Sequence, residues 1–195
     1  MAASFQYETI ILARDVKATE VPSGTPMIFP AGHEVTVMQA LGGHFTVVTH
    51  QGQMARIARE DADALGAKFA AMAAEVEQAK AKATAAAPAA GAPTREALFE
   101  AMKQVYDPEI PVNVVDLGLI YACDITPRPE GGYRVDVKMS MTAPGCGMGD
   151  VLKGDVERLV ADVPGVGEVH AEVVWEPPWD RAMMSDAAKL QLGMY

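Results

Sequence analysis

The stretch Pro88-Ala89-Ala90-Gly91-Ala92-Pro93 divides the sequence. Two prolines and a glycine among alanines suit neither a helix interior nor a strand ladder, so the chain on each side must build its own core. The 195 residues leave enough length for two small domains. Just before the divide, Ala67 to Ala87 is almost all Ala, Glu, Lys, Gln and Met, which have high helix propensity. Phe69, Met72 and Val76 form an apolar stripe that fades toward Ala83, so this helix leaves its packing partner and becomes solvated. The expected organisation is a β-rich domain over 1–66, an Ala-rich helix and linker over 67–93, and a second domain over 94–195.

The first region reads as short strands between tight turns. Glu34 to Met38 and Met54 to Ala58 alternate polar and apolar residues, and Phe45 to Thr49 is aromatic and β-branched. Gly42-Gly43 and Gln51-Gly52 separate them, and Pro22-Ser23-Gly24 and Pro30-Ala31-Gly32 punctuate the chain upstream. A small antiparallel sheet or barrel follows. Glu60-Asp61-Ala62-Asp63 reads as a helix start and Gly66 as its stop.

Past the linker, Thr94 is placed to cap a helix carrying Leu98, Met102 and Val105, which Asp107-Pro108 ends. Leu117 to Ile125 fits a buried strand, and Tyr133 to Met141 alternates as a second, joined to the first by a hairpin at Pro127 to Gly132. Asp150 to Val163 has helical spacing, Pro164 to Gly167 is a turn, and Val169 to Trp175 is a third strand. The fold expected is mixed, α+β or α/β: a small β domain, a helical Ala-rich linker, and an α-β-β-α-β domain with helices on a mixed sheet.

Charge narrows the function classes. The formal net charge is −10, with 7 basic against 9 acidic residues up to Pro93 and 9 against 17 from Thr94 onward. An acidic chain without a dense Lys/Arg cluster repels phosphate, which argues against nucleic acid and anionic membranes as partners. No run approaches the ~20 apolar residues of a membrane span. Met1 to Asp15 shows no basic start followed by an apolar run, so a cytoplasmic, reducing setting is expected, with Cys123 and Cys146 as free thiols.

Of the two, Cys146 stands in Thr142-Ala143-Pro144-Gly145-Cys146-Gly147-Met148-Gly149, a bendable loop just before a helix. Backbone N–H groups and the positive dipole end there would favour a thiolate, the form that binds metal or attacks electrophiles. Cys123 lies inside an apolar strand and reads as a space-filler. One cysteine cannot complete tetrahedral zinc or most iron–sulfur clusters. No C-x-x-C and no nearby histidine completes a set, so any cluster held by Cys146 must be transient and shared across an interface with a second copy (a homodimer), a partner or a small thiol. The same lack of a base argues against a Cys–His hydrolase.

A second constellation, Asp107-Pro108-Glu109-Ile110-Pro111 through Asp116-Leu117-Gly118-Leu119-Ile120, presents three carboxylates from a stiff loop. Asp107 suits a turn, Asp116 reads equally as a structural or a functional group, and Glu109 has the least to do structurally. In Trp175-Glu176-Pro177-Pro178-Trp179 the tryptophans suit a clamp that packs the tail back, or else a partner surface. His33, His44 and His50 fall at or beside turns, where solvated histidines are commoner than ligands.

Taken together, Asp107-Pro108-Glu109, Asp116-Leu117-Gly118-Leu119-Ile120, Thr142-Ala143-Pro144-Gly145-Cys146 and Trp175-Glu176-Pro177-Pro178-Trp179 resemble the domain shared by SufT, PaaD and the eukaryotic cytosolic iron–sulfur targeting factors. Ile28-Phe29-Pro30-Ala31-Gly32, Leu41-Gly42-Gly43 and Ala62-Asp63-Ala64-Leu65-Gly66 look like SufT in the first half as well. The resemblance implies a non-enzymatic accessory factor that works with the iron–sulfur assembly machinery and client apoproteins. It maps the functional core to Asp107, Glu109 and Cys146, with Cys146 as the metal ligand, and places the Thr142 hydroxyl and Asp116 beside them as further cofactor-binding candidates. Alternatives are a PaaD-like subunit of an oxygenase complex and a pure adaptor. The extra C-terminal cysteines typical of PaaD have no counterpart here.

Overall fold

The computed structural model describes residues 7–85 and 91–194; Pro88 to Ala90 of the linker and the first six residues lie outside that range. The fold is mixed α/β, with one large antiparallel sheet and one smaller sheet. The chain separates into two compact units, Met1–Lys82 and Ala83–Tyr195.

In the first unit six strands, β1 (Glu8–Ile11), β2 (Val16–Val21), β3 (Pro26–Phe29), β4 (Glu34–Leu41), β5 (His44–Thr49) and β6 (Met54–Ile57), pair in the order β1-β4-β5-β6-β2-β3. Every pairing is antiparallel. β1 to β3 escape the sequence reading because they are only four to six residues long and two of their apolar residues, Ile11 and Ile28, face solvent. β4 turns into β5 through Gly42 and Gly43, both at positive φ (60° and 80°), the backbone a two-residue hairpin needs. One face buries Val35, Val37, Val47 and Ile57. A 3-10 turn (Arg59–Leu65) ends at Gly66, and α1 (Ala67–Ala85) lays Phe69 and Ala73 into the same core. Phe69 meets Phe45 edge-on at 5.5 Å.

The second unit opens with α2 (Arg95–Met102), where Thr94 Oγ1 accepts a hydrogen bond from the Ala97 N–H at 3.2 Å. β7 (Ile120–Pro127) and β8 (Tyr133–Met139) form an antiparallel hairpin, and β9 (Val166–Val173) joins β8 in parallel after α3 (Gly149–Ala161). Val135, Val137 and Met139 of β8 are buried with Leu98 and Met102 of α2 and Leu152, Val156 and Val160 of α3. Each such side chain contributes about 1.5–3 kcal/mol on burial.

Several boundaries differ from the sequence reading, the starts of β7 and β9 among them. Leu117 lies in a turn, and β7 starts at Ile120, because Gly118 at φ 73° breaks the extended run. β9 starts at Val166, since only Gly165 (φ 89°) is needed to turn the chain after α3.

The tail beyond β9 doubles back on the loop that precedes β7. Trp179 Nε1–H donates to the Leu117 carbonyl at 2.7 Å, the Ser185 N–H to that of Asp116 at 2.8 Å, and Gln191 Nε2–H to that of Pro111 at 2.6 Å. Ser185 caps α4 (Asp186–Gln191), which buries Ala188. A Cβ on Gly118 would sit 2.2 Å from the Met183 carbonyl oxygen, so only glycine allows this approach. No helix among the described residues is long and apolar enough to cross a membrane.

Candidate functional site

The loop Asp107–Leu119 leaves α2 and folds on itself through local polar bonds. The Val114 N–H donates to the Val105 carbonyl and the Asp107 N–H to that of Val112, while Tyr106 and Asn113 form an isolated bridge. Asp107 Oδ1 accepts from the N–H groups of Glu109 (2.8 Å) and Ile110 (2.9 Å), an Asx turn that the Asp-Pro-Glu sequence encodes. Asp107 is 5% exposed, and its burial raises the carboxyl pKa against the lowering by those two N–H bonds. Glu109 is exposed, and partial desolvation together with the neighbouring Asp107 charge pushes its pKa up.

Cys146 lies close enough to this loop for the charges of Asp107 and Glu109 to act on it. It is half-buried against the core between exposed Gly145 and Gly147, two residues before the Met148 N-cap of α3. Its surroundings reverse the thiolate expected from its place before a helix. Burial pushes the thiol pKa up, the Met148 N–H bonded to the sulfur opposes this, and the charges of Asp107 and Glu109 push it further up. One backbone N–H does not offset desolvation plus two negative charges. The net effect is a thiol pKa raised above the ordinary cysteine value.

Asp107, Glu109 and Cys146 thus come together electrostatically from two loops. Asp116 is engaged elsewhere: its Oδ2 accepts from Asn113 Nδ2–H at 2.7 Å, its N–H donates to Asn113 Oδ1, and its charge acts on Tyr106 and Lys103. Thr142 is half-buried at the start of the cysteine loop. Cys123 is 3% exposed in the core, and burial raises its pKa, which fits a space-filler. The tryptophans divide: Trp179 fastens the tail, while Trp175 is 44% exposed. Sequence reasoning missed Asn113, which holds Asp116, and the part played by Gly118. Asn113 three residues before Asp116 is the signal of a side-chain-bonded turn.

No group of three or more His, Cys, Asp or Glu among the described residues is arranged to hold a metal ion.

A family model described as iron-sulfur cluster assembly protein matches residues 95–173. A Porphyromonas gingivalis protein named Fe-S protein maturation auxiliary factor is 45% identical over 100 residues, covering 51% of this chain and 91% of its own length. The chain belongs to this iron–sulfur cluster assembly family. The Bacillus subtilis Fe-S protein maturation auxiliary factor YitW is 37% identical over 100 residues, covering 51% of this chain and 94% of its own length. The Staphylococcus aureus Fe-S protein maturation auxiliary factor SufT is 38% identical over 90 residues, 46% of this chain and 98% of its own length. The family match falls within the second unit, which carries the Asp107, Glu109 and Cys146 cluster.

Proposed function

We propose that this chain is an accessory factor in the maturation of iron–sulfur proteins, with its second domain, 94–195, as the working part. Iron or an iron–sulfur cluster is its cargo, and Cys146 is a single shared ligand to it. The approach of Asp107 and Glu109 to Cys146 carries this reading. Two carboxylates beside a thiol disfavour a bare thiolate, but they favour a thiolate paired with a cation, because a bound metal inverts the local charge balance. Such a site opens to metal only when metal arrives. With one thiolate it cannot retain the cargo alone, so the assembly machinery or the client apoprotein supplies the remaining ligands. Asp116 and Thr142 then support the two loops rather than bind cargo.

The relatives named as maturation auxiliary factors support the accessory role. The test is anaerobic transfer of cluster from a loaded scaffold to an apoprotein, with this chain at catalytic amounts. Cys146→Ala and the pair Asp107→Asn/Glu109→Gln should both abolish the acceleration. Full acceleration by Cys146→Ala would remove the thiol from the mechanism and leave an adaptor role, for which exposed Trp175 is one candidate contact.

A further inference from the structure

Arg59 begins the 3-10 turn after β6, and its side chain is only 7% exposed. Its Nη1–H donates to Glu77 Oε2 on α1, and Glu77 is itself 57% exposed, so the compensation is partly given to solvent. Arg59 Nε and Nη2 are buried with no hydrogen-bond partner. Buried guanidinium N–H groups rarely stay unpaired in native proteins. These two are the adjacent donors on one edge of the planar group, the edge that takes a carboxylate through two parallel bonds.

Arg59 Nε lies beside Gly43, a residue that lines an apolar groove. A Cβ on Gly43 would lie 3.5 Å from Arg59 Nε and 3.6 Å from Val76 Cγ1, and Gly43 and Val76 both line the groove. Leu41, Phe45, Met72 and Ala79 are among its other lining residues, and its volume is about 390 Å³. This lies within the range of small-ligand sites, which are apolar with a few placed polar groups. From Met72 to Ala79 the groove follows α1 for roughly 10 Å, the span of a medium acyl chain. Glu75 lines the groove and is exposed to solvent.

We propose that the first unit binds an amphipathic carboxylate of medium acyl length, its chain in the groove between the β4–β5 turn and α1 and its carboxylate on Arg59 Nε and Nη2. An orphaned fork alone could be met by water, and an apolar groove alone by any oily surface. Their adjacency selects a ligand carrying both features. The Gly42-Gly43 turn, without side chains, lets the carboxylate reach the fork by a small backbone shift.

The test is calorimetric titration of the full chain with octanoate and, separately, with octan-1-ol. Octanoate should bind, and octan-1-ol, which fills the groove but leaves the fork unpaired, should bind about tenfold or more weakly. Arg59→Met should bring octanoate down to the affinity of the alcohol. Val76→Trp keeps Arg59 and fills the groove, and should abolish binding with the circular dichroism unchanged. Equal binding of acid and alcohol, wild-type titration by Val76→Trp, or no binding of octanoate up to its solubility would each overturn the proposal.

Discussion

The loop that carries Asp107 and Glu109 and the loop that carries Cys146 are held in contrasting ways. The first is fastened by its own Asx turn, by the Tyr106 to Asn113 bridge, and by three hydrogen bonds from the C-terminal tail, from Trp179, Ser185 and Gln191. The second is held by bonds of 3.4 Å (Cys146 N–H to the Ala143 carbonyl) and 3.2 Å (Gly149 N–H to the Cys146 carbonyl) and by the Met148 N–H on the Cys146 sulfur, with Ala143, Pro144, Gly145 and Gly147 exposed. The first loop is thus tied down by more hydrogen bonds than the second.

The largest difference between the two loops is expected at two glycines. Gly118 and Gly145 have nearly the same φ, 73° and 77°, but a Cβ on Gly118 strikes the Met183 carbonyl while one on Gly145 meets nothing within 4 Å. Gly145→Ala should cost only the conformational term, about 1–2 kcal/mol. Gly118→Ala should cost about 3 kcal/mol or more, because the tail must also move. Both tryptophans lie in the second unit, so urea denaturation followed by tryptophan fluorescence reads that unit alone. Equal losses from the two substitutions would mean that the tail does not brace the carboxylate loop.

Next in size, Trp179→Phe keeps the packing but leaves the Leu117 carbonyl without its donor, and should lower the stability of this unit by about 1–3 kcal/mol. Asp107→Asn should act on reactivity. Removing one of the two negative charges lowers the Cys146 pKa and speeds alkylation by iodoacetamide at pH 7.5, by up to about tenfold for one pKa unit. Buried Cys123 stays slow in the same assay. Asp107→Asn also removes a pH dependence. The raised Asp107 pKa means that the folded chain holds the proton more tightly than the unfolded one. Its stabilisation is full below the ordinary carboxylate value of about 3.9 and is lost as pH rises through the raised value. The stability curve of the variant should be flatter across that window. Smallest of all, Cys146→Ala should change stability by less than about 1 kcal/mol, as a half-buried group in a loose loop.

The contrast also explains what could be read in advance. The core of the second unit was legible because Val135, Val137 and Met139 alternate and Leu152, Val156 and Val160 recur at helical spacing, both direct prints of burial. β1 to β3 were not, because four- to six-residue strands with exposed Ile11 and Ile28 print no period. Of the candidate site residues, Cys146 is singled out by its loop setting, whereas Asp107 reads locally as a turn former and joins Glu109 and Cys146 only through the family resemblance. The direction of the Cys146 pKa was not legible, because it depends on burial and on two charges some forty residues away in sequence. The N-terminal end of a helix is visible in a sequence; what else surrounds it is not.

The central claim is that Asp107 and Glu109 make the Cys146 thiolate conditional on a cation. The direct measurement is the pH profile of Cys146 alkylation under anaerobic conditions, with and without ferrous iron, in the wild type and in Asp107→Asn/Glu109→Gln. The account expects iron to protect Cys146 in the wild type from a pH below its free thiol pKa. In the double variant the free thiol pKa should fall and the protection should disappear. Identical iron protection in both proteins, or an unchanged thiol pKa in the double variant, would contradict it.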